Sequence, residues 1–319
     1  MPIQPSARMD SPPDTSSTRA RRSRLVLAWE GWRVQIPGRW CPTKLSGDYR
    51  QGYALFADLH RPRLGLKWHT PRKRGFDPAA WSAKAMREEV GQLAASEAAA
   101  HPLAGWESPL LYVEPQPPGR DVWMGYSPVS GRTLQVVYYA HRRERVLGDV
   151  VLPTLRDLPR DQPMPWAIFE LSVIVPGGLP LRTHRLNAGD LSLTFGDDRR
   201  VLTVRQIAVA GLALQRLKIE RWLAQQQRLA GKYYRIAGKP AEAKLPVAEE
   251  GEEGGSGGRM AAGVSGRIVR RRRFFFLFRH ARQMIAYALH DIERDRLVLV
   301  QSSDDNLARS AAATCGVEL

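Results

Sequence analysis

Two stretches of this chain lie 139 residues apart and can be laid over each other without a gap, and that self-similarity restricts the fold more than any other feature. "WRVQIPGRWCPTKLSGDYRQGYALFADLHR" from Trp32 matches "LSVIVPGGLPLRTHRLNAGDLSLTFGDDRR" from Leu171, with Val34 on Val173, Pro37 on Pro176, Gly38 on Gly177, Phe56 on Phe195, Asp58 on Asp197 and Arg61 on Arg200. A second pair of blocks, from Thr133 and from Met284, aligns at a shift of 151, placing Leu134 on Ile285, Arg143 on Arg294 and Arg145 on Arg296. The extra residues between the blocks fall in "AEAKLPVAEEGEEGGSGGRMAAGVSG", a Gly/Glu/Ala-rich stretch that reads as a surface insertion without a core of its own.

The expected organisation is therefore a basic tail over 1–23, one unit over 24–160, and a second over 161–319 carrying the insertion at about 239–266. The tail is poor in apolar residues and is expected to be disordered. The proline-rich "LPRDQPMPW", residues 158–166, is the joint. Each unit opens with an alternating strand, Trp32, Val34 and Ile36 in the first, followed by a Pro-Gly turn. A hairpin follows, "GYALFAD" with "RLGLKW" or "DLSLTF" with "RVLTVRQ".

A helix comes next. In the first unit Asp77 is the N-cap, Pro78 opens the helix, and Met86, Val90 and Leu93 form its apolar stripe. In the second it runs from about Gly211 to Leu229, with Leu212, Ile219 and Leu223 on one face. The fold class is α+β, two tandem copies of an antiparallel-sheet sandwich covered by helices.

The entry "WRVQIPGRW" and its partner "LSVIVPGGL", together with the late "RRERV" and "RDRLVLV" hairpins, resemble the PsbP/Mog-type α/β/α sandwich. That resemblance implies a binding or assembly module, because members of the fold bind other proteins and have no shared active site.

Charge bears on partners. The net charge is +16, and residues 1–24 (net +3) with residues 259–282 (eight Arg, no acid) hold most of the excess. "RRRRFFFLF" from Arg270 occupies, at the shift of 151, the position of "GRDVWMGY", so Phe274 to Phe278 are expected in the core and the arginines at a solvated strand entrance. A competing reading makes Arg270, Arg271, Arg272 and Arg273 a polyanion patch for nucleic acid. A third folds Glu249 to Glu253 back over the arginines as a mask.

No metal-ligand or phosphate-loop motif occurs, and the seven histidines build no ligand set on one element. "GGSGG", Gly254 to Gly258, matches the nucleophile-elbow pattern only literally, since no strand precedes it. No catalytic, cofactor-binding or metal-binding residue is expected. Two cysteines, Cys41 and Cys315, exclude a disulfide framework and suit a reducing, cytoplasmic setting, with Cys315 buried. No apolar run is long enough to span a membrane.

Seven of nine tryptophans belong to the first unit, and Trp40, after a turn, and Trp81, off the helix stripe, are expected on an exposed aromatic surface for a protein partner. The leading expectation is a non-catalytic protein-interaction module. The alternatives are a nucleic-acid-associated protein and an enzyme with its site in a cleft between the units.

Overall fold

A computed structural model describes residues 24–72, 75–116, 118–140, 145–229, 234–243, 261–270, 284–292 and 294–316. The chain is α+β, and the described strands form three antiparallel sheets. The first hairpin joins β1 (Arg24–Trp29) to β2 (Trp32–Pro37), whose burial alternates as the sequence pattern requires, with Trp32, Val34 and Ile36 inward. β3 (Cys41–Gly47), β4 (Gln51–Ala57) and β5 (Pro62–His69) make a meander.

Helix α1 (Pro78–Val90) follows, capped as expected by Asp77, whose side chain accepts from the N–H groups of Ala79 and Ala80. Gly91 ends it, so Leu93 falls in the short α2 (Gln92–Ala95) and is 83% exposed rather than part of the stripe. β6 (Ala99–Ala100), β7 (Glu107–Tyr112), β8 (Gly119–Ser127) and β9 (Arg132–Ala140) complete a seven-stranded sheet ordered β3-β4-β5-β9-β8-β7-β6.

A helical segment α3, a π turn over Leu147–Val151 running into Leu152–Thr154, and the short β10 (Arg156–Asp157) lead to β11 (Met164–Ile168) and β12 (Leu171–Val175). β13 (Leu181–Asn187), β14 (Asp190–Gly196) and β15 (Val201–Ala208) form a second meander. α4 (Ala210–Leu214) and α5 (Ile219–Leu229) replace the single helix expected there, and Leu212 is exposed. β16 (Tyr234–Ala243), β17 (Ala261–Arg270), β18 (Met284–Asp291), β19 (Arg296–Ser302) and α6 (Asp305–Thr314) close the chain.

The second seven-stranded sheet is ordered β13-β14-β15-β19-β18-β17-β16, the same path as the first. This order revises the later alignment. β8 and β18 hold the same position in their sheets, as do β9 and β19. Arg296 therefore corresponds to Arg132, a separation of 164 residues rather than 151, because both open the strand that pairs with the end of the meander. The earlier alignment is gapless only to the turn at Asp58 and Asp197. There an irregularity between Phe56 and Ala57 moves the register, and Phe56 faces Leu64 where Phe195 faces Leu202.

The position given to "RRRRFFFLF" is filled by β18, with Tyr287 where Trp123 stands in β8. Arg271, Arg272, Arg273, the phenylalanine run, Glu249 to Glu253, Gly254 to Gly258 and residues 1–23 lie outside the described residues. Arg270 ends β17 opposite Tyr234. The insertion is not wholly without regular structure, since residues up to Ala243 and from Ala261 belong to paired strands.

The third sheet, β10-β2-β1-β11-β12, takes the opening hairpin of each half and joins them where Ala28 of β1 meets Ala167 of β11. Trp32, Val34 and Ile36 from one hairpin and Leu171, Val173 and Val175 from the other enter a single buried cluster. Trp68, Trp123 and Tyr138 of the first large sheet belong to it, as do Phe195, Val204 and Val300 of the second. The opposite face of the first sheet carries α1 over Val122, Met124 and Val137. That of the second carries Trp222 and Leu223 of α5 over Ala286, Ala288 and Leu299.

Trp40, expected on the surface, is fully buried and stacks on Tyr138 at 6.0 Å between ring centroids. The turn before it aims the indole into the common core. Trp81 is half-buried, packed with Phe76 and the cluster around Met86. Cys315 is buried, and burial pushes its thiol up to about 12. Among the described residues no helix is long and apolar enough to cross a membrane.

Candidate functional site

The β1–β2 turn contains only Glu30 and Gly31, both with positive φ, 46° and 87°, the geometry of a tight hairpin between right-twisted strands. Gly31 is demanded twice over: a Cβ there would stand 2.6 Å from the Tyr49 ring and 3.0 Å from the Arg132 guanidinium. The equivalent turn in the second half is Phe169 and Glu170, and Phe169 also has positive φ, 54°. Position by position Glu30 corresponds to Phe169, so its acid belongs to the first half alone.

Arg132, at the start of β9, reaches this turn from below. It is 1% exposed and donates to the Glu30 carbonyl at 2.6 Å and the Tyr49 carbonyl at 2.8 Å. Its other nitrogens bind the Asp157 carboxylate and Ser130, and its guanidinium lies 4.2 Å from the Tyr49 ring centre. Arg296 uses the same strand position in the second half to pair with Glu170 on its own turn. A buried charge so fully engaged is a structural clamp.

Above the clamp lies a cleft of ≈ 320 Å³. The first half contributes Glu30 from the β1–β2 turn and Asp48, Tyr49 and Arg50 from the β3–β4 turn. The connecting segment contributes Arg160, and the second half Met164, Trp166 and residues 176 and 178–181. Backbone hydrogen bonds hold the connecting segment to both sides, Leu158 N–H to the Gly31 carbonyl at 2.8 Å and Gly178 N–H to the Arg160 carbonyl at 2.7 Å. Tyr49 Oη also donates to the Leu158 carbonyl at 2.8 Å.

Glu30 is the chemically unusual wall. It is 5% exposed, and its carboxyl has no hydrogen-bond partner among the described residues. Burial first, and the nearby Asp48 carboxylate second, push its pKa up to about 8, against the opposing pull of Arg132 and Arg160. At neutral pH it is a protonated acid with an unused donor. Asp48 is in a different state of engagement, its Oδ1 accepting the backbone N–H groups of Arg50 at 2.8 Å and Gln51 at 3.0 Å.

Of the candidate partner-binding residues named from sequence, neither Trp40 nor Trp81 lines this cleft, and Arg271, Arg272 and Arg273 lie outside the described residues. Trp40 is in the core, Trp81 lies on α1, and Arg270 closes β17. The sequence signal for this turn is the pair Glu30-Gly31 between the apolar run Leu25 to Trp29 and the alternating run from Trp32, a hairpin pattern. Among the described residues no cluster of His, Cys, Asp and Glu is arranged to hold a metal ion. No protein-family model matches the chain, and no curated protein matches it.

Proposed function

We propose that this chain is a non-catalytic protein-interaction module, two PsbP/Mog-like sandwich units in tandem, that engages its partner at the cleft between them. The observation that carries the reading is the composition of the cleft: both halves and their connection supply its walls, and one wall is a buried acid with no hydrogen-bond partner among the described residues. Clefts at the junction of two units, apolar with a few convergent polar groups, are where ligands and partner side chains ordinarily seat. Both cysteines are free, Cys41 exposed and Cys315 buried, which agrees with a cytoplasmic setting.

A photo-crosslinking residue tests this in the native cell. Placed at Leu181, on the cleft rim, it is expected to form partner adducts that Arg160→Glu abolishes; placed at Ala80, on the exposed side of α1, it is expected to form none. Equal adducts from both positions, or none from Leu181, would reject the cleft as the contact.

A further inference from the structure

We propose that the cleft seats a carboxylate carried on an apolar or aromatic body, with the Glu30 acid group and the Arg160 guanidinium as its two donors. The proposal rests on the reading of this cleft as the partner site and adds what chemistry the partner presents there.

Three features of the site point to an anion. Glu30 is buried at the cleft wall and its carboxyl makes no hydrogen bond to a described residue, so the donor of its protonated form is open to an acceptor in the cleft. The polar groups around Glu30 are engaged elsewhere rather than with its carboxyl, the Glu30 and Tyr49 carbonyls accepting from Arg132 and Asp48 Oδ1 from two backbone N–H groups. The charged groups facing Glu30 are Asp48 from the β3–β4 turn, Arg132 from β9 and Arg160 from the connecting segment, with Arg50 on the rim. Arg132 is neutralised by Asp157. With Glu30 neutral, Arg50 and Arg160 outweigh Asp48, and the lining carries one net positive charge.

The body of the ligand follows from the other walls. Met164, Trp166, Leu179, Pro180 and Leu181 are apolar or aromatic. A space of ≈ 320 Å³ holds a group of about the size of one aromatic residue with its carboxylate. Two sources share this chemistry, the C-terminal residue of a partner chain and a free aromatic or apolar acid.

The test titrates the full chain with 3-phenylpropionate, its amide and 3-phenylpropylamine, and with a pentapeptide ending in phenylalanine as acid and as amide, followed by NMR. The acid forms are expected to bind at pH 6.5 at least about ten-fold more tightly than the amides, since a charge-assisted pair is lost. From pH 6.5 to 9 the wild-type affinity for the acids is expected to fall about ten-fold, because only the protonated fraction of Glu30 is competent.

Glu30→Gln keeps a donor that cannot ionise, so at pH 9 it is expected to bind the acids more tightly than wild type. Arg160→Ala, an exposed substitution that leaves folding alone, is expected to weaken them at every pH. Tighter binding of the amine, or acid binding equal in wild type and Arg160→Ala, would overturn the proposal. Peptide acid and amide binding equally well would overturn the carboxylate while leaving the partner reading intact. Binding of the free acid with no binding of either peptide would place the failure in the partner reading instead.

Discussion

Replacing Arg132 by methionine is expected to lower the unfolding free energy by about 3–5 kcal/mol, the cost of removing one partner from a buried ion pair. The side chain is almost fully enclosed and holds two carbonyls of neighbouring turns as well as Asp157, so methionine fills the volume but strands the carboxylate. Urea unfolding checks the loss. Adding Asp157→Asn to the variant is expected to return part of it, because the second change removes the uncompensated charge. A single variant within about 1 kcal/mol of wild type would show that water reaches Asp157 and that the clamp contributes little.

The second large effect concerns pH. Glu30 has its ordinary pKa of 4.5 in the unfolded chain and about 8 in the fold. Between those values the unfolded chain releases a proton that the native chain keeps. Unfolding is thereby favoured by about 1.4 kcal/mol for each pH unit, and the loss levels off above the folded pKa.

The stability contribution of Glu30 is accordingly complete below the unfolded pKa and declines as pH rises towards 8. Glu30→Gln cannot ionise in either state, so its advantage over wild type is expected to grow from little at pH 5 to several kcal/mol at pH 8. Urea unfolding at pH 5, 6.5 and 8 reads that difference directly. Parallel curves for the two proteins would mean that the native carboxyl is ionised and solvated.

Much of the architecture can be read from the chain before any coordinates. The alternation at Trp32, Val34 and Ile36, the cap at Asp77, and the paired Asp turns at Asp58 and Asp197 are all local patterns, and local patterns are what period and turn chemistry encode. The misplacements have a common cause in long-range pairing.

At the shift of 151 Arg145 falls on Arg296, but Arg145 precedes α3 whereas Arg296 opens β19, and only the strand order shows that Arg132 is its counterpart. Trp40 follows a turn, which by itself suggests solvent, and it is long-range packing in the common core, including its stacking on Tyr138 almost one hundred positions on, that buries it. The cleft is harder still. Glu30, Asp48, Arg160 and Trp166 have no regular spacing, and they meet because two separate turns, the connecting segment and strand β11 come together at one place.

The pairing of β1 with β11 carries a practical corollary for anyone dividing this protein. A cut at 160/161 follows the apparent unit boundary, yet it would tear one sheet along its middle and leave each fragment with an unpaired strand edge. Such fragments would satisfy those edges by adding a neighbour's hairpin, so the separated pieces would form exchanged dimers or aggregates in place of two independent monomers.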